Sequence, residues 1–278
     1  MPPQIRHIVN LWSLADYPNA KRPWTLERQI AAVKEAGFDG FTTWAGEKHR
    51  KLAEKHGLII VGYFSGSKAS EFPSLLRAQQ DAGAHYINVQ MGDHDTLTPE
   101  ALKMALTLFK AAEKLGVEPS LEVHRDVCTE TPEKTYALAD AFKKETGRLL
   151  PLTWDFSHLA VVKHLNAGNY SERLLTHPAL IQRAEQLHCR PFNGHHAQVP
   201  VTDGEGRLTP EVKDYLAFIE DLFRLWLKGK QDGREVFVVP EMGPVPGGYN
   251  ISTWPKAWED AVRLRALLDK LWKKALKG

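Results

Sequence analysis

Short β-type runs alternate with longer helical patterns from one end of this chain to the other, and that alternation restricts the fold more than any other feature. Two parallel strands cannot be joined by a tight turn, so a crossover is needed, and a helix supplies it. The runs are IRHIVNLW (5–12), DGFTTW (39–44), LIIVGYF (58–64), HYINVQM (85–91), PSLEVH (119–124), LLPLTWDF (149–156), EQLHCRP (185–191) and EVFVVPEM (235–242). Eight of them in 278 residues give about 35 residues per unit, close to the 30 or so that a βαβ crossover takes. The expected fold is a single (β/α)8 TIM barrel covering 1–278 as one domain, because no Gly/Ser-rich or Pro-rich linker divides the chain.

The gaps carry helix punctuation. In TLERQIAAVKEAG, Thr25 reads as the N-cap, Ile30 and Val33 share a face, and Gly37 ends the segment. Thr98 and Thr131 read as caps, each followed by a proline at the first helical position, with Gly116 and Gly147 as stops. The long irregular stretch PFNGHHAQVPVTDGEGRL (191–208) is expected as a loop after strand 7 on the rim where barrels build active sites, either as a lid or as a surface excursion. The basic end KLWKKALKG reads as the solvated face of the last helix.

Composition excludes several classes. With 43% hydrophobic and 25% charged residues the chain has material for a large core, and a net charge of +2 gives no broad field for nucleic acid or an anionic membrane. No apolar run approaches the roughly 18 residues that span a bilayer. The start MPPQIRHIVN lacks the order of a signal peptide, and two cysteines, Cys128 and Cys189, make no disulfide framework. A cytoplasmic protein is expected, in which the sequons at Asn169 and Asn250 are chance matches. HRD at 124–126 matches a kinase string but lacks the Gly-rich loop, strand lysine and DFG that would give it meaning.

Four residues at the ends of strands 5 to 8 share one chemistry: Glu122, Asp155, His188 and Glu241, separated by 33, 33 and 53 residues. Strand alternation puts Ser120, Glu122 and His124 on one side of strand 5, and Phe237, Val239 and Glu241 on one side of strand 8. Singly, each is an ordinary polar residue at a strand end. Together, three carboxylates converging on a barrel mouth would repel and take up protons unless a cation neutralised them, and His188 brings a nitrogen donor to the same point. One divalent metal ion held by all four is the expected answer, and mixed carboxylate and imidazole ligation suits Mn, Mg, Co or Zn.

The motifs LEVHR, WDFSH, LHCRP and VPEMG, with AGFDGFTTW at the second strand, resemble the xylose-isomerase-like TIM barrels, in the sugar phosphate isomerase/epimerase branch. The resemblance covers nearly the whole chain. It implies that Glu122, Asp155, His188 and Glu241 bind the metal, that His158 and Arg190 contact substrate, and that Glu122 and Glu241 form an acid/base pair moving a proton on and off a carbon through an enediolate. Trp12 and Trp44, with Tyr63 and Phe64, would form an aromatic wall against sugar C–H groups, and His124 and Arg125 would orient a substrate oxygen or anion. Relatives commonly form dimers or tetramers, and nothing in the sequence fixes such a homo-oligomer interface.

The expected activity is a metal-dependent isomerase or epimerase of a monosaccharide or sugar derivative. A dehydratase or lyase begins with the same proton abstraction and differs in product mass. A non-catalytic sugar-binding protein would bind without turnover. An abasic-site endonuclease of this fold needs more histidines than VGYFSG at strand 3 provides. Phosphate binding by GPVPGG (243–248) is disfavoured because its prolines remove N–H donors.

Overall fold

A computed structural model describes residues 1–229 and 231–277. Eight parallel strands close into a barrel in sequence order: β1 (Gln4–Asn10), β2 (Gly40–Thr43), β3 (Ile59–Gly66), β4 (Tyr86–Met91), β5 (Glu118–Val123), β6 (Leu152–Asp155), β7 (Gln186–His188) and β8 (Glu235–Val239). Closure is made by β1 on β8, with Gln4 opposite Glu235 and His7 opposite Val238. The expected TIM barrel is therefore the fold. Each of the eight sequence runs overlaps one strand, with ends that differ: β3 runs on to Gly66, two residues past its run, whereas Leu11–Leu14 is a 3-10 turn, so Trp12 lies beyond β1.

The connections hold α1 (Leu26–Glu35), α2 (Glu47–His56), α3 (Phe72–Asp81), α4 (Thr98–Leu115), α5 (Pro132–Thr146), α6 (Phe156–Val162), α7 (Tyr170–Leu174), α8 (Pro178–Arg183), α9 (Pro210–Leu227) and α10 (Ala257–Ala275). Thr25 and Thr131 cap as expected, accepting from the amides of Arg28 and Lys134 at 3.3 and 3.2 Å. Thr98 does not. It is the first residue of α4, and Leu97 precedes it without a side-chain cap bond, because the leading turn starts one residue earlier than the Thr-Pro pair suggests. Gly116 and Gly147 end α4 and α5 at φ 67° and 72°, left-handed values that cost glycine little. The β6–β7 crossover is broken into three short helices, with His164 at φ 52° after the first and Pro178 opening the third. Among the described residues no helix is long and apolar enough to cross a membrane.

Strand alternation sorts the side chains into two zones. Outward residues such as Val9, Phe41, Phe64, Leu121, Trp154 and Leu187 are buried under the helices in the main core, each contributing about 1.5–3 kcal/mol by leaving water. The smaller inner core holds Ile8, Val61, Phe237 and Val239, with Ile59 and Tyr86 packed against it. Gly40 of β2 is required by contact rather than by backbone angle, since a Cβ there would collide with the Ile59 carbonyl oxygen of β3. Nearer the C-terminal end the interior turns polar: Ser120 Oγ lies 2.6 Å from Thr153 Oγ1, and Gln186 reaches Ser120 at 3.3 Å.

The stretch 191–208 is a tethered loop. The Gln198 amide bridges the N–H and C=O of Gly243 at 2.6 and 3.0 Å, and Asp260 on α10 accepts from Val201 N and Thr202 Oγ1 at 2.7 and 2.8 Å. None of its residues lines the cavity at the barrel mouth, and these bonds hold it against the loop after β8 and against α10. Cys128 and Cys189 are buried and unpaired with one another.

Candidate active site

The barrel places its four acid and imidazole residues by register. Asp155 and His188 are the last residues of β6 and β7 and lie directly opposite one another, Glu122 sits one residue before the end of β5, and Glu241 follows β8 by two residues. All four are buried, and one ligand atom from each lies within 4.8 Å of the others.

Glu122 is fixed from β4. Asn88 and Gln90, which share a face two residues apart, donate to Glu122 Oε2 at 2.8 and 2.9 Å. Tyr63 of β3 donates to Gln90 Oε1 at 2.9 Å, which leaves the Gln90 NH2 group turned to the carboxylate. Glu241 is fixed from the other side of the barrel, where Asn10 Nδ2 of β1 donates to its Oε1 at 3.0 Å. Asp155 accepts from Ser157 N at 3.0 Å and from Arg190 Nε at 3.3 Å.

His188 Nδ1 stands between the two glutamates, 3.1 Å from Glu122 Oε1 and 2.9 Å from Glu241 Oε2. One ring nitrogen carries at most one proton, so it satisfies one carboxylate at a time. Glu241 Oε2 accordingly has close cationic neighbours but no hydrogen bond of acceptable geometry, although Arg190 Nη2 is also 3.0 Å away. An orphaned buried carboxylate oxygen amid three further ligand atoms fits a divalent cation, which accepts several oxygens and a nitrogen at once.

The charges are strongly coupled. Burial, the largest influence on each carboxyl, pushes it up, but opposite charges prevail. His188 and its hydrogen bond hold Glu122 down at about 2. His158 and Arg190 hold Asp155 well below the usual carboxylate range, and Arg190 and then His188 lower Glu241. Burial works against charge on His188 as well, and Glu241 and Glu122 outweigh it, raising its pKa well above the usual value.

Above the cluster opens a cavity of about 420 Å³. The expected Trp12, Trp44, His124, Arg125 and Arg190 all line it, together with Glu122, His188 and Glu241. Tyr63 is a wall residue as expected, but Phe64 is not: it faces outward, fully buried against Phe72 of α3, because successive strand residues point to opposite sides. His158 is also absent from the lining. It lies buried beside Asp155, with Nε2 3.3 Å from Oδ2, and its ring is 4.0 Å from that of His124, a lining residue.

Four contributors were not picked out from sequence. Asn10, Asn88 and Gln90 take inward positions near the C-terminal ends of β1 and β4, and a carboxamide at an inward strand end was the available signal. Tyr249 arrives from the loop after β8. Its ring lies 4.0 Å from the Arg190 guanidinium, meets Trp12 edge-on at 5.3 Å, and its hydroxyl is 3.2 Å from His124 Nε2. Burial pushes its hydroxyl up to about 12, so it stays a neutral phenol.

No family model matches the chain, and no curated protein matches it. Solved structures do. D-allulose 3-epimerase from Methylomonas sp. is 15% identical with a TM-score of 0.59, covering 99% of each chain. A sugar phosphate isomerase/epimerase from Parabacteroides distasonis is 12% identical with a TM-score of 0.60, over 95% of this chain and 92% of the other. A xylose isomerase-like TIM barrel protein from Mycobacterium smegmatis, in complex with magnesium, is 16% identical with a TM-score of 0.56, over 97% of both. At these identities the likeness speaks to architecture, and it establishes that this chain has the fold of the xylose-isomerase-like TIM barrels.

Proposed function

We propose that this protein is a divalent-metal-dependent isomerase or epimerase of a monosaccharide or sugar derivative. The observation that carries the reading is the placement of Glu122 and Glu241 on opposite sides of His188 at the cavity floor, each with one oxygen immobilised by side-chain amides and the other turned to the centre. The names of the solved structures of the same fold, an allulose epimerase and a sugar phosphate isomerase/epimerase, support it.

Glu122, Asp155, His188 and Glu241 would hold the ion, which when bound supplies positive charge to a substrate's neighbouring carbonyl and hydroxyl oxygens and so acidifies the hydroxyl-bearing carbon beside the carbonyl. Mn, Mg, Co and Zn all suit this donor set. Glu122 and Glu241 exchange the proton at that carbon, one removing it and the other returning it from the opposite side. Asn88, Gln90 and Asn10 keep the two carboxylates aimed, so the geometry is set before substrate arrives. Arg190 donates to substrate oxygen through Nη1, which is buried without a protein partner, and His158 keeps Asp155 in place. Trp12, Trp44 and Tyr63 pack against sugar C–H faces, and His124 holds Tyr249 over the cavity.

The test is incubation of the metal-loaded protein with ketoses and keto-sugar derivatives in deuterium oxide. Deuterium appearing at a carbon beside the carbonyl, in product of otherwise unchanged mass, is expected. Loss of water or fragmentation of the sugar would replace isomerisation by a lyase reaction, and binding without exchange would reduce the protein to a sugar binder.

A further inference from the structure

Two guanidiniums line the cavity, and their charges are used differently. Arg190 is buried and faces Asp155 and Glu241. Arg125 is exposed at the mouth, and among the described residues it forms no ion pair; its close partner is the Tyr249 ring, 4.5 Å from the guanidinium carbon.

The backbone around Arg125 is pinned. His124 Nδ1 lies 2.6 Å from the Arg125 carbonyl oxygen, which can only accept, so Nδ1 carries the proton and Nε2 accepts from the Tyr249 hydroxyl. On the other side Asp126 adopts φ 57°, unusual for a residue with a side chain, and its carboxylate is 2.6 Å from His94 Nδ1. A guanidinium laid on an aromatic face between two fixed neighbours, with no counter-charge, is built to receive an anion. Trp12 Nε1 and Arg190 Nη1, on residues of the same cavity, are buried donors without protein partners, which suits a ligand rich in acceptor oxygens.

The setting favours a carboxylate over a phosphate. One planar fork matches a carboxylate with two parallel hydrogen bonds, whereas phosphates are commonly cradled by several backbone amides or a lysine. Among the described residues no lysine lines the cavity, and in the loop after β8 Pro244 and Pro246 have no N–H to give. Building on the isomerase/epimerase reading, we propose that the substrate is a sugar acid, whose carboxylate is clamped by Arg125 at the mouth while its carbonyl end reaches Glu122 and Glu241.

The probes are two matched series, D-fructose, D-fructose 6-phosphate and D-fructuronate, and the corresponding tagatose compounds. Each is titrated by calorimetry into the manganese-loaded protein. In at least one series the acid should bind about tenfold or more tightly than the neutral ketose, and more tightly than the phosphate ester. Arg125→Gln should erase the acid's advantage, and Arg125→Lys, which keeps the charge but loses the fork, should restore only part of it. Tightest binding of a phosphate ester, equal binding of acid and ketose in both series, or no measurable binding of any compound overturns the proposal. Deuterium exchange on the same samples reads the reaction separately. Acid-selective, Arg125-dependent binding without exchange would keep the clamp and remove the isomerase reading, while exchange into the neutral ketoses without acid preference would do the reverse.

Discussion

Asn10 and Glu241 are 231 residues apart in sequence, yet the Asn10 amide donates to Glu241 Oε1 at 3.0 Å, across the seam where β1 closes on β8. The same Asn10 accepts from Trp12 N at 3.2 Å, so one side chain aims a carboxylate and starts the turn that carries an aromatic wall residue. Barrel closure is thus a condition for the chemistry as well as for stability.

Asn10→Ala should therefore lower kcat for the exchange reaction by about 10- to 100-fold, with a smaller change in KM, and cost about 1 kcal/mol of stability through the lost hydrogen bonds. Steady-state kinetics beside chemical denaturation checks both. An unchanged kcat would mean that Glu241 needs no help in holding its direction.

Glu122→Gln and Glu241→Gln keep size and remove the base. Each is expected to reduce turnover by about 10³-fold or more, and the double variant to be scarcely worse than either single one, as groups acting as a unit in one reaction do. Near-multiplicative losses would show instead that the two carboxylates contribute independently.

Metal should stabilise the fold by binding only the folded state. At an ion concentration about 100-fold above its dissociation constant the gain is about 2.7 kcal/mol, read as a rise in melting temperature that a chelator reverses. Asp155→Asn removes one ligand charge while leaving an oxygen to accept from Ser157 N at the start of α6, so it should fold and lose this rise. A melting temperature indifferent to Mn, Mg, Co and Zn in the unaltered protein would contradict a metal site.

His7 makes a pH prediction away from the site. Its imidazole is 3% exposed on β1, with neither nitrogen hydrogen-bonded; burial first and the Arg265 charge second lower its pKa to about 4, against the pull of Asp269 3.7 Å away. The unfolded chain binds this proton near pH 6.5 and the folded chain only near 4, so the contribution is complete above about 6.5 and is lost as pH falls toward 4. The loss approaches about 3 kcal/mol. Comparing unfolding free energies of the unaltered protein and His7→Gln between pH 7 and 4.5 isolates it; parallel curves would refute the shift.

The order of strands, the helix punctuation at Thr25, Thr131, Gly116 and Gly147, and the four residues Glu122, Asp155, His188 and Glu241 were legible in the sequence. Periodicity of two and 3.6 is a local property, and unit spacing in a closed barrel turns sequence intervals into neighbouring strands. What surrounds those four residues was decided by closure and by the loops. Asn88 and Gln90 mean nothing until β4 lies beside β5, Asn10 means nothing until β1 meets β8, and Tyr249 reaches Arg190 and His124 only because the loop after β8 folds back over the mouth. His158 was within reach of local geometry: three residues on from Asp155 in α6, its Nε2 lies 3.3 Å from Asp155 Oδ2. Hydrogen bonds between strands and loops depend on which backbones come within about 3 Å of each other, and that distance is set by packing of the whole chain, beyond the reach of any local pattern.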